Sequence, residues 1–282
     1  MSNVLVTGGA GFVGTNLIKR LIIEGHNVVS VDNYNTGLSN NHQDNVEYIF
    51  GDIRNKINYE KYGNFDVVFH LAAIARIQPS FEKPTEYFEV NANGTINIVE
   101  FCYRRNIPLI YAGSSSHHSG KFKNPYTFSK DVGEEITELY QKHYNLKSSI
   151  ARFYNVYGPH HLKEGGYCTL IGAWEKLIEE NKELVIFGDG TKRRDFTHVD
   201  DVVDGLYKIY TKEKWGYVFE FGRGKNYSIL EIANMFGKLY RFEKDKIGEA
   251  QTTLCDNKIA HELLSWTPKK NIEDYIKNYL NQ

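Results

Sequence analysis

The chain has 282 residues, a net charge of −1 and 41% hydrophobic residues. That length allows a sizeable core in one or two domains, and the balanced charge gives no electrostatic case for nucleic acid or a membrane surface. Three cysteines, Cys102, Cys168 and Cys255, are odd in number and far apart. They suggest neither a disulfide framework nor a metal site, and no metal is expected. Met1-Ser2-Asn3 runs straight into an apolar stretch, and no apolar run is long enough to span a bilayer. No signal peptide is expected, and the expected location is cytoplasmic.

Short apolar runs alternate with helical patterns through the first half. Val4-Leu5-Val6, Val28-Val29-Ser30-Val31, Val46-Glu47-Tyr48-Ile49-Phe50, Val67-Val68-Phe69 and Leu109-Ile110-Tyr111 read as buried parallel strands. Helices are predicted over about 11–24, 84–105 and 125–144, the second opened by Pro84-Thr85-Glu86. This alternation predicts an α/β fold with a doubly wound parallel sheet. After Arg152 it loosens. Gly158-Pro159-His160-His161 and Lys163-Glu164-Gly165-Gly166 are loop signals. A helix near 169–180, a strand at Leu184-Val185-Ile186-Phe187 and helices near 200–211, 228–240, 257–264 and 271–281 follow. The reading is a nucleotide-binding part over 1–155 and a smaller C-terminal α/β part over 156–282, with some chain crossing back.

Thr7-Gly8-Gly9-Ala10-Gly11-Phe12-Val13-Gly14 follows the first strand and opens the first helix, the setting a dinucleotide fingerprint requires. Gly8 permits the tight turn, Gly11 lets the backbone approach a pyrophosphate, and Gly14 lets helix and strand pack closely. Asp32 ends the second strand about twenty residues later, where a carboxylate accepts from ribose hydroxyls and repels a 2′-phosphate. That favours NAD over NADP. Asp52 and Ile53 follow the third strand and are candidates for an adenine edge.

Tyr126 and Lys130 stand four apart on a predicted helix, so they share one face. A phenol is a poor base near pH 7, and a nearby cation lowers its pKa. The pair reads as a device for making a general base.

These pieces resemble the extended short-chain dehydrogenase/reductase family, in particular its nucleotide-sugar epimerases and dehydratases of the UDP-glucose 4-epimerase kind. The resemblance rests on the glycine loop, His70-Leu71-Ala72-Ala73, Asn91-Ala92-Asn93-Gly94-Thr95, Ser114-Ser115-Ser116 and Tyr126-Thr127-Phe128-Ser129-Lys130. It continues through Arg152-Phe153-Tyr154-Asn155-Val156-Tyr157-Gly158-Pro159, Arg194-Asp195-Phe196-Thr197-His198-Val199-Asp200-Asp201 and Trp266-Thr267-Pro268. It implies a Rossmann fold, bound NAD, a nucleotide-sugar substrate and a homodimer paired through the helices at 84–105 and 125–144. It implies that Tyr126 is the catalytic base, that Lys130 binds the nicotinamide ribose and lowers the Tyr126 pKa, and that Ser114 bonds the reacting hydroxyl. Phe12, Val13, Asn33, Leu71, Ala72, Ala73 and Tyr154 would touch the cofactor. Ser115, Ser116, Asn155, Phe187, Arg194, Lys246 and Glu249 would hold the substrate. His70, His198 and Asn91 read as structural hydrogen-bonding residues.

In this family the outcome turns on the residues after the serine. Dehydratases and decarboxylases carry acids there, whereas this chain has Ser115 and Ser116, which favours 4-epimerisation. A dehydratase or decarboxylase of the same fold is the runner-up, and a non-catalytic NAD-binding regulator is a further alternative. The loop from Ser114 to Tyr126 is short and holds His117-His118, candidates for an added acid or base. Lys246 and Glu249 stand where relatives present an arginine and an aspartate. Thr253 stands where some epimerases place a large tyrosine.

Overall fold

The structure is a computed structural model that describes residues 1–55 and 59–281, side chains of 59 and 60 excepted. Its strands are β1 (Asn3–Thr7), β2 (Asn27–Asp32), β3 (Val46–Phe50), β4 (Val67–His70), β5 (Leu109–Ser114), β6 (Ser148–Phe153) and β7 (Val156–Tyr157). Then come β8 (Leu184–Phe187), β9 (Arg193–Asp195), β10 (Thr197–His198), β11 (Val218–Phe221), β12 (Asn226–Ser228) and β13 (Tyr240–Glu243). The helices are α1 (Phe12–Ile23), α2 (Ile77–Glu82), α3 (Pro84–Phe88), α4 (Thr95–Arg105) and α5 (Pro125–Tyr144). They continue with α6 (Leu170–Glu179), α7 (Val199–Thr211), α8 (Ile229–Phe236), α9 (Lys258–Leu264) and α10 (Ile272–Leu280).

Seven strands form one parallel sheet in the order β11-β6-β5-β4-β1-β2-β3. The order reverses beside β1, and such switch points open a crevice at the carboxyl ends of the strands. Side chains alternate across the sheet. Val4 and Val6 join one core with Leu17 of α1, Val202 and Leu206 of α7 and Trp266. Leu5 and Val68 join the opposite core with Ile98 and Val99 of α4. The sheet is therefore covered on both faces, as an all-parallel sheet requires. A third core, built on Trp174, Ile186, Tyr227, Ile232 and Phe236, holds the C-terminal body together.

The predicted helix over 84–105 is α3 and α4 joined by a π-helical turn at Glu89–Gly94. The predicted helix over 228–240 is shorter. Gly237 takes a left-handed conformation at φ +60° and ends α8, and Tyr240–Glu243 pairs as a strand with β8. Two strands of the main sheet lie outside the sequence expectation. β6 opens on Ser148-Ser149 and carries Arg152, so its apolar run is broken. β11 comes from the C-terminal half and pairs with β6, completing the N-terminal sheet.

Candidate active site

A cleft of about 1200 Å³ lies along the carboxyl ends of the strands. That exceeds the space one drug-sized ligand needs. Gly8, Gly11, Phe12, Val13 and Gly14 line one end. Gly8 has φ +73°, and a Cβ there would fall 2.8 Å from the Ala72 nitrogen. A Cβ on Gly14 would fall 2.2 Å from the Gly8 carbonyl oxygen, whereas one on Gly11 would meet only that oxygen, at 3.3 Å. The loop is thus packed tightly behind and open in front, where the amides at the start of α1 suit a pyrophosphate. Asp32 ends β2, where Oδ1 accepts from the Tyr34 amide at 2.8 Å and Oδ2 from the Ala10 amide at 3.0 Å. Burial pushes its carboxyl pKa up, and those backbone bonds oppose the shift. Asn33, Ile53, Leu71, Ala72 and Ala73 also line the cleft. These residues fit a dinucleotide. Asp52 does not line the cleft: Arg54 binds it and holds its carboxyl at about 2, and Asn33 Nδ2 donates to it at 2.9 Å.

At the centre, β5 ends on Ser114 and α5 begins with Pro125-Tyr126. Asn124 caps that helix by accepting from the Thr127 amide at 2.7 Å. Tyr126 Oη donates to Ser114 Oγ at 3.1 Å, and Ser114 Oγ lies 2.9 Å from Ser116 Oγ. Tyr126, Ser114, Ser115 and Ser116 all line the cleft. Burial pushes the Tyr126 phenol up, opposed by the Ser114 hydrogen bond and then by the charge of Arg76.

Lys130 departs from expectation. It is buried and does not line the cleft, its ammonium donates to the Ala112 carbonyl at 2.6 Å, and it lies 4.2 Å from the Tyr111 ring centroid. Burial lowers its pKa to about 8. The cation that opposes the upward shift of Tyr126 is Arg76, which sequence reasoning passed over. The available signal was an arginine three residues beyond His70-Leu71-Ala72-Ala73. Tyr154 also departs from expectation. It is buried away from the cleft, with its hydroxyl bonded to Glu220 and its ring beside His118.

Carboxylates stand behind the serines. Glu134 Oε1 accepts the Ser114 amide at 3.2 Å, and the carboxylate takes a two-pronged bond from Arg152. His117 Nδ1 bonds Asp131 at 3.0 Å, and His118 Nε2 bonds Glu220 at 2.7 Å. None of Glu134, Arg152, His117, Asp131, His118 and Glu220 lines the cleft. His117, Asp131 and Glu134 bring ligand atoms within 4.8 Å of one another. Arg152 and the Ser114 amide already occupy Glu134, so the cluster reads as a hydrogen-bonded support.

The far end is lined by Asn155, Phe187, Arg194, Lys246, Glu249 and Thr253. Asn155 Nδ2 donates to the Asp195 carbonyl at 2.8 Å and to Thr253 Oγ1 at 3.2 Å. Lys246 Nζ lies 3.6 Å above the Phe187 ring centroid, and Arg194 Nη2 donates to Glu249 at 3.2 Å. His70 bonds Thr7 and Thr95, and Asn91 ties Ile74 to Ser129; neither lines the cleft. The loop carrying Tyr167, Cys168 and Thr169 closes one wall, which the sequence marked only as irregular.

A glycine-loop cleft with a tyrosine–serine pair at its centre is the dinucleotide-binding site of a Rossmann fold. Residues 4–222 match the model of the NAD dependent epimerase/dehydratase family, and the chain belongs to that family, whose cofactor is NAD. A putative UDP-glucose 4-epimerase of Methanocaldococcus jannaschii is 32% identical over 99% of this chain and 97% of its own length. A UDP-glucuronate 4-epimerase of Thermodesulfobacterium geofontis is 32% identical over 100% and 96%. The solved UDP-glucose 4-epimerase of Thermotoga maritima superposes with a TM-score of 0.92 at 27% identity, covering 99% of this chain and 98% of its own.

Proposed function

We propose that the protein is an NAD-dependent nucleoside-diphosphate-sugar 4-epimerase acting through a transient 4-keto sugar, on a UDP-hexose or UDP-N-acetylhexosamine scaffold. The observation that carries this reading is the Tyr126–Ser114 hydrogen bond on a cleft wall where serines, not acids, follow. Tyr126 takes the proton from the C4 hydroxyl as general base, the Ser114 hydrogen bond and the Arg76 charge opposing the upward push of burial, and Ser114 bridges the same oxygen. NAD, when bound, would supply hydride acceptance and return at C4, the 4-keto sugar presenting its other face in between. Elimination or decarboxylation would use an acid or base beside the ring. Asp131 and Glu134, the nearest carboxylates in sequence, are bonded instead to His117, Arg152 and the Ser114 amide. Phe187, Asn155, Arg194 and Lys246 hold the base and diphosphate, and Thr253 leaves room for a bulky sugar substituent. The protein works as a homodimer through α4 and α5, which leave Ile96, Tyr103, Leu139 and Tyr144 exposed. Light scattering tests that association.

The test of function is incubation with a panel of UDP- and dTDP-sugars, read by NMR. The 4-epimer of one substrate is the expected product. A 4-keto-6-deoxy product or released carbon dioxide would overturn the reading. The second outcome has a precedent among the relatives, since a UDP-N-acetyl-alpha-D-glucosaminuronate decarboxylase of Bacillus cytotoxicus is 31% identical over 81% of this chain.

A further inference from the structure

We propose that Arg76 recognises an anion on the sugar, so that the substrate is a nucleoside-diphosphate hexuronic acid with a C6 carboxylate. The inference rests on the assignment of Tyr126 as the residue that meets the C4 hydroxyl.

Arg76 lines the same cleft as Ser114, Ser116 and Tyr126. Its Nε is fixed by the backbone carbonyls of Tyr167 at 3.0 Å and Cys168 at 2.9 Å. One edge of the guanidinium is thus anchored, while Nη1 and Nη2 make no hydrogen bond or ion pair with any described residue. A planar fork with free donors suits a carboxylate. Burial works against the charge, and the chain offers it only the phenols of Tyr126 and Tyr87 and the thiol of Cys168, with no carboxylate. Arg76 is half-buried at the cleft wall, and a partly desolvated charge there gains from an anionic partner.

The other cations along the cleft, Lys246 excepted, are paired with carboxylates. Arg54 pairs with Asp52, Lys163 with Glu175 and Glu179, Lys176 with Glu164, Lys192 with Asp245 and Arg194 with Glu249, while Lys246 covers Phe187. Among the described residues Arg76 and Lys246 are the cleft cations without a carboxylate partner, and of the two it is Arg76 whose charge acts on the Tyr126 phenol. In a hexopyranose, C6 is attached to C5, next to the reacting C4. A sugar with O4 at Tyr126 brings a C6 carboxylate within reach of that side of the cleft. Ser115 and Ser116 add neutral donors there. A neutral hexose would leave the Arg76 fork without a counter-charge.

Two phosphate sources compete for the same chemistry, the substrate diphosphate and the cofactor pyrophosphate. Calorimetry on the NAD-loaded protein separates them, using UDP-glucuronate, UDP-glucose and UDP with wild type, Arg76→Gln and Arg76→Lys. UDP-glucuronate should bind wild type at least ~10-fold more tightly than UDP-glucose, because hydrogen bonds to charged groups have that weight. Arg76→Gln should lose ~10- to 100-fold for UDP-glucuronate and change UDP-glucose and UDP by less than about twofold. Arg76→Lys, which keeps charge without the fork, should fall between. Equal losses for both sugars, a comparable loss for UDP, weaker NAD binding in Arg76→Gln, or a wild-type preference for UDP-glucose would each overturn the proposal. Product NMR is read separately. A uronate preference accompanied by carbon dioxide release would support this proposal and sink the epimerase reading instead.

Discussion

Lys130 Nζ donates to the Ala112 carbonyl at 2.6 Å, just before the Gly113-Ser114 step that ends β5. The ammonium therefore ties α5 to the end of β5. Burial lowers its pKa from 10.5 to about 8, a penalty on the charged form worth about 3 kcal/mol at neutral pH. The sign follows from proton counting. Between about 8 and 10.5 the unfolded chain binds the proton and the folded chain does not, so this group's contribution to stability rises with pH there and is lost as pH falls through about 8. Lys130→Met should accordingly unfold at higher denaturant at pH 7, by ~1–3 kcal/mol after the lost hydrogen bond is counted. That advantage should shrink by pH 10. A variant less stable than wild type at pH 7 would show that the buried ammonium is not a strained group.

The Arg152–Glu134 pair is the support under Ser114. Both side chains are buried, the bond is two-pronged, and Glu134 also accepts the Ser114 amide. Removing one partner of such a pair leaves the other charge uncompensated, at a cost of about 3–5 kcal/mol. Glu134→Gln should lower stability in urea by that order and reduce kcat by displacing Ser114. Wild-type stability in this variant would mean that Arg152 is held by Glu220 alone, its other bonded carboxylate at 3.1 Å.

Tyr126→Phe keeps the ring and removes the hydroxyl that donates to Ser114. General-base contributions are of order 10²–10⁴, and turnover should fall by about that much. NAD affinity, measured by calorimetry, should change little, because the glycine loop and Asp32 lie at the other end of the cleft. Retained turnover would remove Tyr126 from the mechanism.

Much of this site was legible because it is local in sequence. The glycine loop, Asp32 and the Tyr126 helix each carry their geometry in a few residues, through turn, strand end and cap. The seven-strand sheet was legible in its first five members, whose apolar runs are continuous, and not in β6, where Ser148, Ser149 and Arg152 interrupt the pattern. The setting of Lys130 was hidden for a related reason. Spacing of four residues places Tyr126 and Lys130 on one helix face, but the Ala112 carbonyl, eighteen residues upstream, sets where the ammonium points. Arg76 escaped notice because its partners, the carbonyls of Tyr167 and Cys168, lie ninety residues away. His117 and His118 looked like spare acids or bases until the fold placed Asp131 and Glu220 against them.

Asp32 supplies the last prediction, on cofactor choice. Both its oxygens are fixed by backbone amides, which hold the carboxylate at the end of β2 where a ribose is expected. Asp32→Asn keeps one acceptor oxygen and removes the charge. NAD affinity should drop about 10-fold with the charged hydrogen bonds, and binding of NADP should improve as repulsion of the 2′-phosphate is lifted. Burial raises the Asp32 pKa, so acidification should protonate it above the ordinary carboxylate range. Wild-type NAD affinity should therefore weaken on the acid side, and Asp32→Asn should lack that limb. Calorimetry across roughly pH 4.5–7.5 checks both statements. A limb that persists in Asp32→Asn would place the titrating group elsewhere in the cleft, and an unchanged NADP affinity would show that Asp32 does not face the 2′ position.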